Sequence, residues 1–289
     1  GENGWETIRI GVSDVSMQDS GTIVEHNLFT RVDGEIEIIS NKSGANIYRY
    51  NTFLDCAGTL TLRHGNGCRV ESNLFLGRRN SESGGVRIIG EDHVVVNNHF
   101  EDLGGRDGAA ITVYAGVDDG PLNEYFAAHR AQIAFNTFVD NSGLAINIGT
   151  GLGSRDRTIL PEDVVVSNNV FTRSNSSNTS FVIGPAVAQS TWIGNLNHNG
   201  EPGPDVSGGF TAADPLMAFD PLRLLSVPAV NSPVVDAAAP GGATVTTDFE
   251  GRARVGISDL GAFELSNAEA ATVVPYASTA TALSWAVKI

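Results

Sequence analysis

The pattern Asn-x-Phe recurs six times, at Asn27-Phe29, Asn51-Phe53, Asn73-Phe75, Asn98-Phe100, Asn136-Phe138 and Asn169-Phe171. The Asn-to-Asn steps are 24, 22, 25, 38 and 33 residues. Each copy closes a short β-branched or alternating run, such as GTIVEHNLF, ANIYRYNTF or DVVVSNNVF, bounded by Gly, Asn, Ser and Asp, the composition of strands and turns. A strand repeat of this length, with no helix-period segment between copies, is too short for a propeller blade and cannot be a βαβ sheet. It predicts an all-β solenoid, a right-handed parallel β-helix, with the Asn side chains in a ladder and the Phe rings stacked inside. The two long steps predict inserted loops at about residues 103–130 and 149–162, on the working face.

Beyond residue 185 the pattern fades. TWIGNLNHN reads as a degenerate coil, and PVVDAAAPGGATVTTDFEGRARVGISDLGAFE alternates as a closing coil would. The expected organisation is one β-helix domain over 1–265 and a tail or edge cover over 266–289.

Apolar runs stay far below the roughly 20 residues that a membrane-spanning helix needs, so no membrane partner is expected. With 18 Lys+Arg against 33 Asp+Glu, the formal charge is −15, which argues against a protein that coats nucleic acid. A polyanion stays admissible where positive charge is concentrated locally. Cys56 and Cys68 are two free thiols or one bridge and match no zinc pattern. No basic-then-apolar leader precedes Gly1, so the expectation is a mature or truncated product.

In EIEII, strand alternation puts Glu35 and Glu37 outside and Ile36 and Ile38 in the core. Two carboxylates so close repel unless a cation answers them; oxygen ligands suit Ca²⁺, and an exposed acidic strand is the plain alternative. The chain has only two lysines, Lys42 and Lys288, so chemistry that needs a lysine falls to Lys42. Measured back from the next ladder Asn, Lys42, Arg63 and Arg87 stand at 9, 10 and 11 residues, predicting a basic column beside the glutamates. Alternation in TLTLRHGNG turns His64 toward the core, as a hydrogen-bonded support and not as the base. The Asn-x-Ser/Thr sites at Asn41, Asn175 and Asn178 read as solvated turns.

These runs, NGWETIRIG, GEIEIISNKSGANIYRYNTFLDCAGTLTLRHGNG and GGVRIIGEDHVVVNNHFEDLGGRDGAAITVY, resemble the alginate lyase and chondroitinase B family, polysaccharide lyase family six. The resemblance is strong over residues 1 to about 150 and closest to the alginate branch. It implies that Lys42 is the Brønsted base and Arg63 the acid, that Asn3, Glu35 and Glu37 hold a catalytic Ca²⁺, and that Arg106, Arg87 and His64 meet substrate. It also implies further coils and an N-terminal cap before NGWETIRIG. The implied partner is an anionic polysaccharide, alginate before dermatan sulfate, in a secreted or periplasmic setting, as monomer or homodimer.

The implied reaction is β-elimination on a 4-linked uronate, in which the weakly acidic C5 proton leaves only if the developing charge is neutralised. A β-helical glycoside hydrolase would need a close pair of carboxylic acids. Asp118-Asp119 is the adjacent Asp pair within the first six rungs and sits in a Gly-rich insertion, which reads as loop solvation. A noncatalytic glycan-binding β-helix would explain the ladder but not a rare lysine at the position of the family's base.

Overall fold

Residues 4–221 and 223–265 are described by the computed structural model. The β-branched runs form short parallel strands, three to a coil, and successive coils stack so that each strand bonds its counterpart one turn on. The first sheet carries Ile8–Gly11, Glu37–Lys42, Gly58–His64, Ser83–Ile88, Ala109–Tyr114, Leu144–Thr150 and Val182–Ile183 in that order. A second sheet runs from Ile23–Glu25 to Thr191–Ile193, and a third from Leu28–Thr30 to Phe210–Ala212. This is the parallel β-helix expected from the repeat.

The corner before each ladder Asn explains the repeat in physical terms. His26, Tyr50, Ser72, Asn97, Phe135 and Asn168 all take a left-handed backbone, with φ between 53° and 57°, which costs a non-glycine residue about 1–2 kcal/mol. The next residue supports the bend. Each Asn amide donates at 3.0 Å to the Oδ1 of the Asn one coil on, from Asn27 through Asn51, Asn73, Asn98, Asn136 and Asn169 to Asn195. The same oxygens accept backbone N–H groups, such as Asn51 N at 3.0 Å from Asn73. Asn195 is a seventh rung, so TWIGNLNHN is a full coil. Two residues beyond each Asn, the rings of Phe29, Phe53, Phe75, Phe100, Phe138 and Phe171 stack with centroids 4.7–4.9 Å apart, within the favourable range for offset aromatic pairs.

The C-terminal segment departs from expectation. Instead of a closing coil, Met217–Asp220 and Leu225–Pro228 form an antiparallel hairpin, and the chain then runs back along the outside of the third sheet. Leu54, Leu74 and Leu76 project from that sheet and are covered by Leu225, Phe249, Ala262 and Phe263. Polar clamps fix this segment to the coils: Ser226 donates from N and Oγ to Glu101, and Arg254 Nη2 donates to Asn97 Oδ1 at 2.8 Å. Alternation marked this segment as two-faced but could not say which surface it would meet. Outward leucines on the early rungs supply that surface.

Cys56 and Cys68 are both free and buried. Asn41 is not a solvated turn: it is fully buried. The 266–289 tail and Lys288 lie outside the described residues.

Candidate active site

The outer face of the first sheet carries the chemistry. A cleft of about 610 Å³ opens there, lined by Glu6, Arg9, Glu35, Ile36, Glu37, Lys42, Arg63, Arg87, Asp107, Tyr114, Tyr125, Ser154, Arg155 and Arg157. Six of these are Lys or Arg and four are carboxylates, so a chain of formal charge −15 concentrates a positive excess at this cleft. The two insertions wall it. Gly116–Val117 pairs antiparallel with Arg157–Ile159, tying the insertions together and bringing Tyr125 and Arg157 over the sheet. Asp118 and Asp119 stay exposed outside the cleft lining, as loop residues.

At one end, carboxylate oxygens of Glu6, Glu35 and Glu37 lie within 4.8 Å of one another. Glu6 lies in NGWE, three strands away in the chain; no spacing in the sequence links it to Glu35, and their approach is purely tertiary. Asn3 lies outside the described residues. Ile36 lines the cleft and is not a core residue, because the strand proper starts at Glu37; Ile38 is in the core, as expected. Burial raises the Glu35 pKa, with Glu6 and Glu37 adding to the rise against the Gly4 N–H and Lys42. Arg9 and Arg87 approach Glu6 and Glu37 only to 3.7 and 3.5 Å, and three converging carboxylates are a donor set suited to a hard cation.

The basic residues converge without forming one straight column. Lys42 is in register with His64 across a bulge, and Arg63 projects outward beside it. Arg87 is instead in register with Thr61 and Ser40, an earlier outward position. Counting back from the ladder Asn missed this because bulges shift the phase within each strand. Asn41 anchors the strand end: its amide donates to Ser43 O at 2.9 Å and His64 O at 2.8 Å, and its oxygen accepts from Tyr48 at 2.6 Å. Lys42 follows directly and makes no ion pair with a described residue.

Arg63 is held from several sides. Nη1 meets His64 Nε2 at 2.7 Å and donates to Glu124 O at 3.2 Å, Nη2 donates to Asn123 O at 2.9 Å, and the guanidinium lies 4.0 Å from the Tyr125 ring centroid. A guanidinium has no acceptor, so Nε2 of His64 must be the unprotonated nitrogen. Burial, reinforced by Arg63 and Lys42, pushes the His64 pKa down to about 4, which keeps that acceptor available. Burial also lowers the Arg63 pKa. His64 is buried and does not line the cleft; it sits behind Arg63 and orients that side chain.

Arg87 is 5% exposed and contacts Tyr125 Oη at 2.9 Å, Tyr114 Oη at 3.1 Å, Asp107 at 3.2 Å and Glu37 at 3.5 Å. Arg106 pairs with Glu82 and stays outside the cleft lining. Arg157 stacks 4.6 Å from the Tyr125 centroid. Tyr125 and Arg157 come from the insertions, where no repeat announces which residues face the sheet; Tyr114 ends a first-sheet strand and Asp107 lies in the turn before it.

The chain is a parallel β-helix with a cleft of net positive charge on its first sheet, and its fold is shared with solved lyases of polysaccharide lyase family six. The alginate lyase AlyGC of that family is 37% identical, with a TM-score of 0.72 over 79% of this chain and 31% of its own. A mannuronic acid specific family-six lyase from the human gut microbiota is 32% identical, with a TM-score of 0.63 over 74% of this chain and 49% of its own. A family-six alginate lyase solved with a trisaccharide is 25% identical, with a TM-score of 0.61 over 78% and 51%. The chain thus spans about a third to a half of the length of these structures. No curated protein matches it. Residues 1–198 match the family described as chondroitinase B, and the chain belongs to that family.

Proposed function

We propose that this chain carries the catalytic face of a lyase that cleaves a 4-linked uronate polymer, alginate, by β-elimination outside the cytoplasm. The observation that carries this reading is the convergence of Lys42, Arg63 and the Glu6, Glu35 and Glu37 carboxylates in one cleft of net positive charge on an acidic protein. The solved relatives described as alginate lyases favour alginate over dermatan sulfate.

Elimination requires a base at C5, neutralisation of the carboxylate beside it, and a partner for the charge that develops on the leaving O4. Lys42 is the amine on the cleft face free of ion pairs with described residues, and a lysine can lose its proton where an arginine cannot. Arg63, oriented by His64, Tyr125 and two backbone carbonyls, faces O4 with its pKa already lowered by burial. Its remaining N–H groups stabilise the developing oxyanion, which takes its proton from water while Lys42 later releases the C5 proton to solvent. Arg87 and Arg9 add positive charge along the cleft for the polymer's other carboxylates. A Ca²⁺ held by Glu6, Glu35 and Glu37, with Asn3 by resemblance, would supply Lewis-acid neutralisation of the reacting carboxylate.

The test offers alginate, polymannuronate, polyguluronate and dermatan sulfate to the protein, with and without chelator, and follows the ultraviolet absorbance of the unsaturated product. Product from alginate that is lost on chelation and restored by Ca²⁺ is expected. Absence of product from every uronate polymer would leave a glycan-binding module instead.

A further inference from the structure

The GGRDG turn offers Arg106 to the cleft by sequence, yet the backbone directs its neighbour inward. Asp107 takes φ 64° and ψ 16° between Gly105 at φ 81° and Gly108 at φ 95°. This left-handed twist sends Arg106 out to Glu82 and Asp107 in to the cleft. There Asp107 Oδ2 accepts from the Tyr114 hydroxyl and forms an ion pair with Arg87, 3.2 Å from its Nε.

Arg87 is the link between this aspartate and the acidic cluster. Its guanidinium is nearly sealed from water, so its charge must be met by neighbours. Those neighbours are Asp107, Glu37 and the hydroxyls of Tyr114 and Tyr125. Glu37 is the looser carboxylate partner, at 3.5 Å from Nη1, and it is also one of the three acids that converge within 4.8 Å. A Glu37 fully paired with Arg87 would be a weaker cation ligand, because the same oxygen lone pairs and the same negative charge would already be engaged.

We propose that Asp107 is a positioning residue for cation binding: by holding Arg87 it keeps that guanidinium from closing on Glu37, which stays available to a divalent cation. This rests on the reading of Glu6, Glu35 and Glu37 as a cation site. Asp107 touches neither the cation nor the uronate; it acts through Arg87, and Tyr114 fixes it in place.

The test is calorimetric titration of the whole chain with CaCl₂, without polysaccharide. Asp107→Asn should weaken Ca²⁺ binding roughly tenfold, the usual size of an effect from a residue behind the ligands, and Asp107→Glu should restore most of it. Arg87→Gln should tighten Ca²⁺ binding, and in that background Asp107→Asn should have no further effect. Unchanged affinity in Asp107→Asn overturns the proposal. So does an equal loss in the Arg87→Gln background, which would mark a diffuse charge effect. If Asp107→Asn does not fold, Arg87→Gln carries the test, and unchanged or weaker binding there overturns the proposal. A wild-type chain that binds no Ca²⁺ removes the cation site and this proposal together, while product absorbance judges the elimination reading separately.

Discussion

Replacing Asn73 with Ala probes the ladder at its centre. The Asn73 amide donates to Tyr48 O at 2.8 Å, Glu71 O at 3.0 Å and Asn98 Oδ1 at 3.0 Å, and its oxygen accepts from Asn51 N and Asn51 Nδ2, both at 3.0 Å. Alanine removes all five bonds at a site with no solvent access. The Asn51 amide group keeps Val24 O, but the Asn51 backbone N–H loses its side-chain acceptor. One stranded buried donor costs about 1–3 kcal/mol, and the remaining lost bonds raise the total to roughly 3–5 kcal/mol. At roughly 2–4 °C per kcal/mol for a domain of this size, thermal unfolding followed by circular dichroism should show a midpoint about 10 °C lower. Asn27→Ala is the control. Asn27 is exposed and its amide donates only to Glu25 O and Asn51 Oδ1, so its loss should cost under about 1 kcal/mol. Equal midpoints for the two variants would refute the claim that the ladder is a buried, load-sharing network.

Gly85→Ala should destabilise by about 1–3 kcal/mol, because a Cβ there would lie 2.3 Å from Ala110 O and 2.7 Å from the Phe100 ring; urea unfolding checks it. His64 and His93 are both held neutral, with pKa values pushed down to about 4 chiefly by burial. The unfolded chain takes up their protons from about pH 6.5 downward, so their stabilisation is complete above that pH and is lost as pH falls toward 4, on the order of 3 kcal/mol each. A thermal midpoint flat between pH 7 and 4 would contradict this. Saturating Ca²⁺ should raise the wild-type midpoint, by about 2.7 kcal/mol of stability at a hundredfold excess over Kd, and should not raise that of Glu37→Gln.

The architecture was legible because a solenoid writes the same constraint once per coil. Each Asn precedes a strand and follows a left-handed corner, so Asn-x-Phe alone locates every rung up to Asn169. Glu35, Glu37, Lys42 and Arg63 were legible for a related reason: they sit on consecutive coils of one sheet, where proximity in space follows from spacing in sequence. Glu6, Tyr125 and Asp107 escaped that logic. Glu6 meets Glu35 through stacking of the first coil, Asp107 is turned inward by the left-handed GGRDG turn, and Tyr125 arrives on an insertion tied down by the pairing of Gly116–Val117 with Arg157–Ile159. The bulge at Arg63 and the side-on path of residues 229–265 are likewise set by neighbours, and alternation carries no record of them.

The central claim is that Lys42 takes the C5 proton, and Lys42→Arg tests it most directly. Arginine keeps the positive charge but stays protonated near neutral pH, so binding of alginate oligosaccharides, measured by calorimetry, should be largely kept. Unsaturated product, measured at the same pH and Ca²⁺ concentration, should fall by about 10²–10⁴-fold, the usual contribution of a general base. Wild-type turnover in Lys42→Arg would contradict the account, since the described cleft residues include no other amine base.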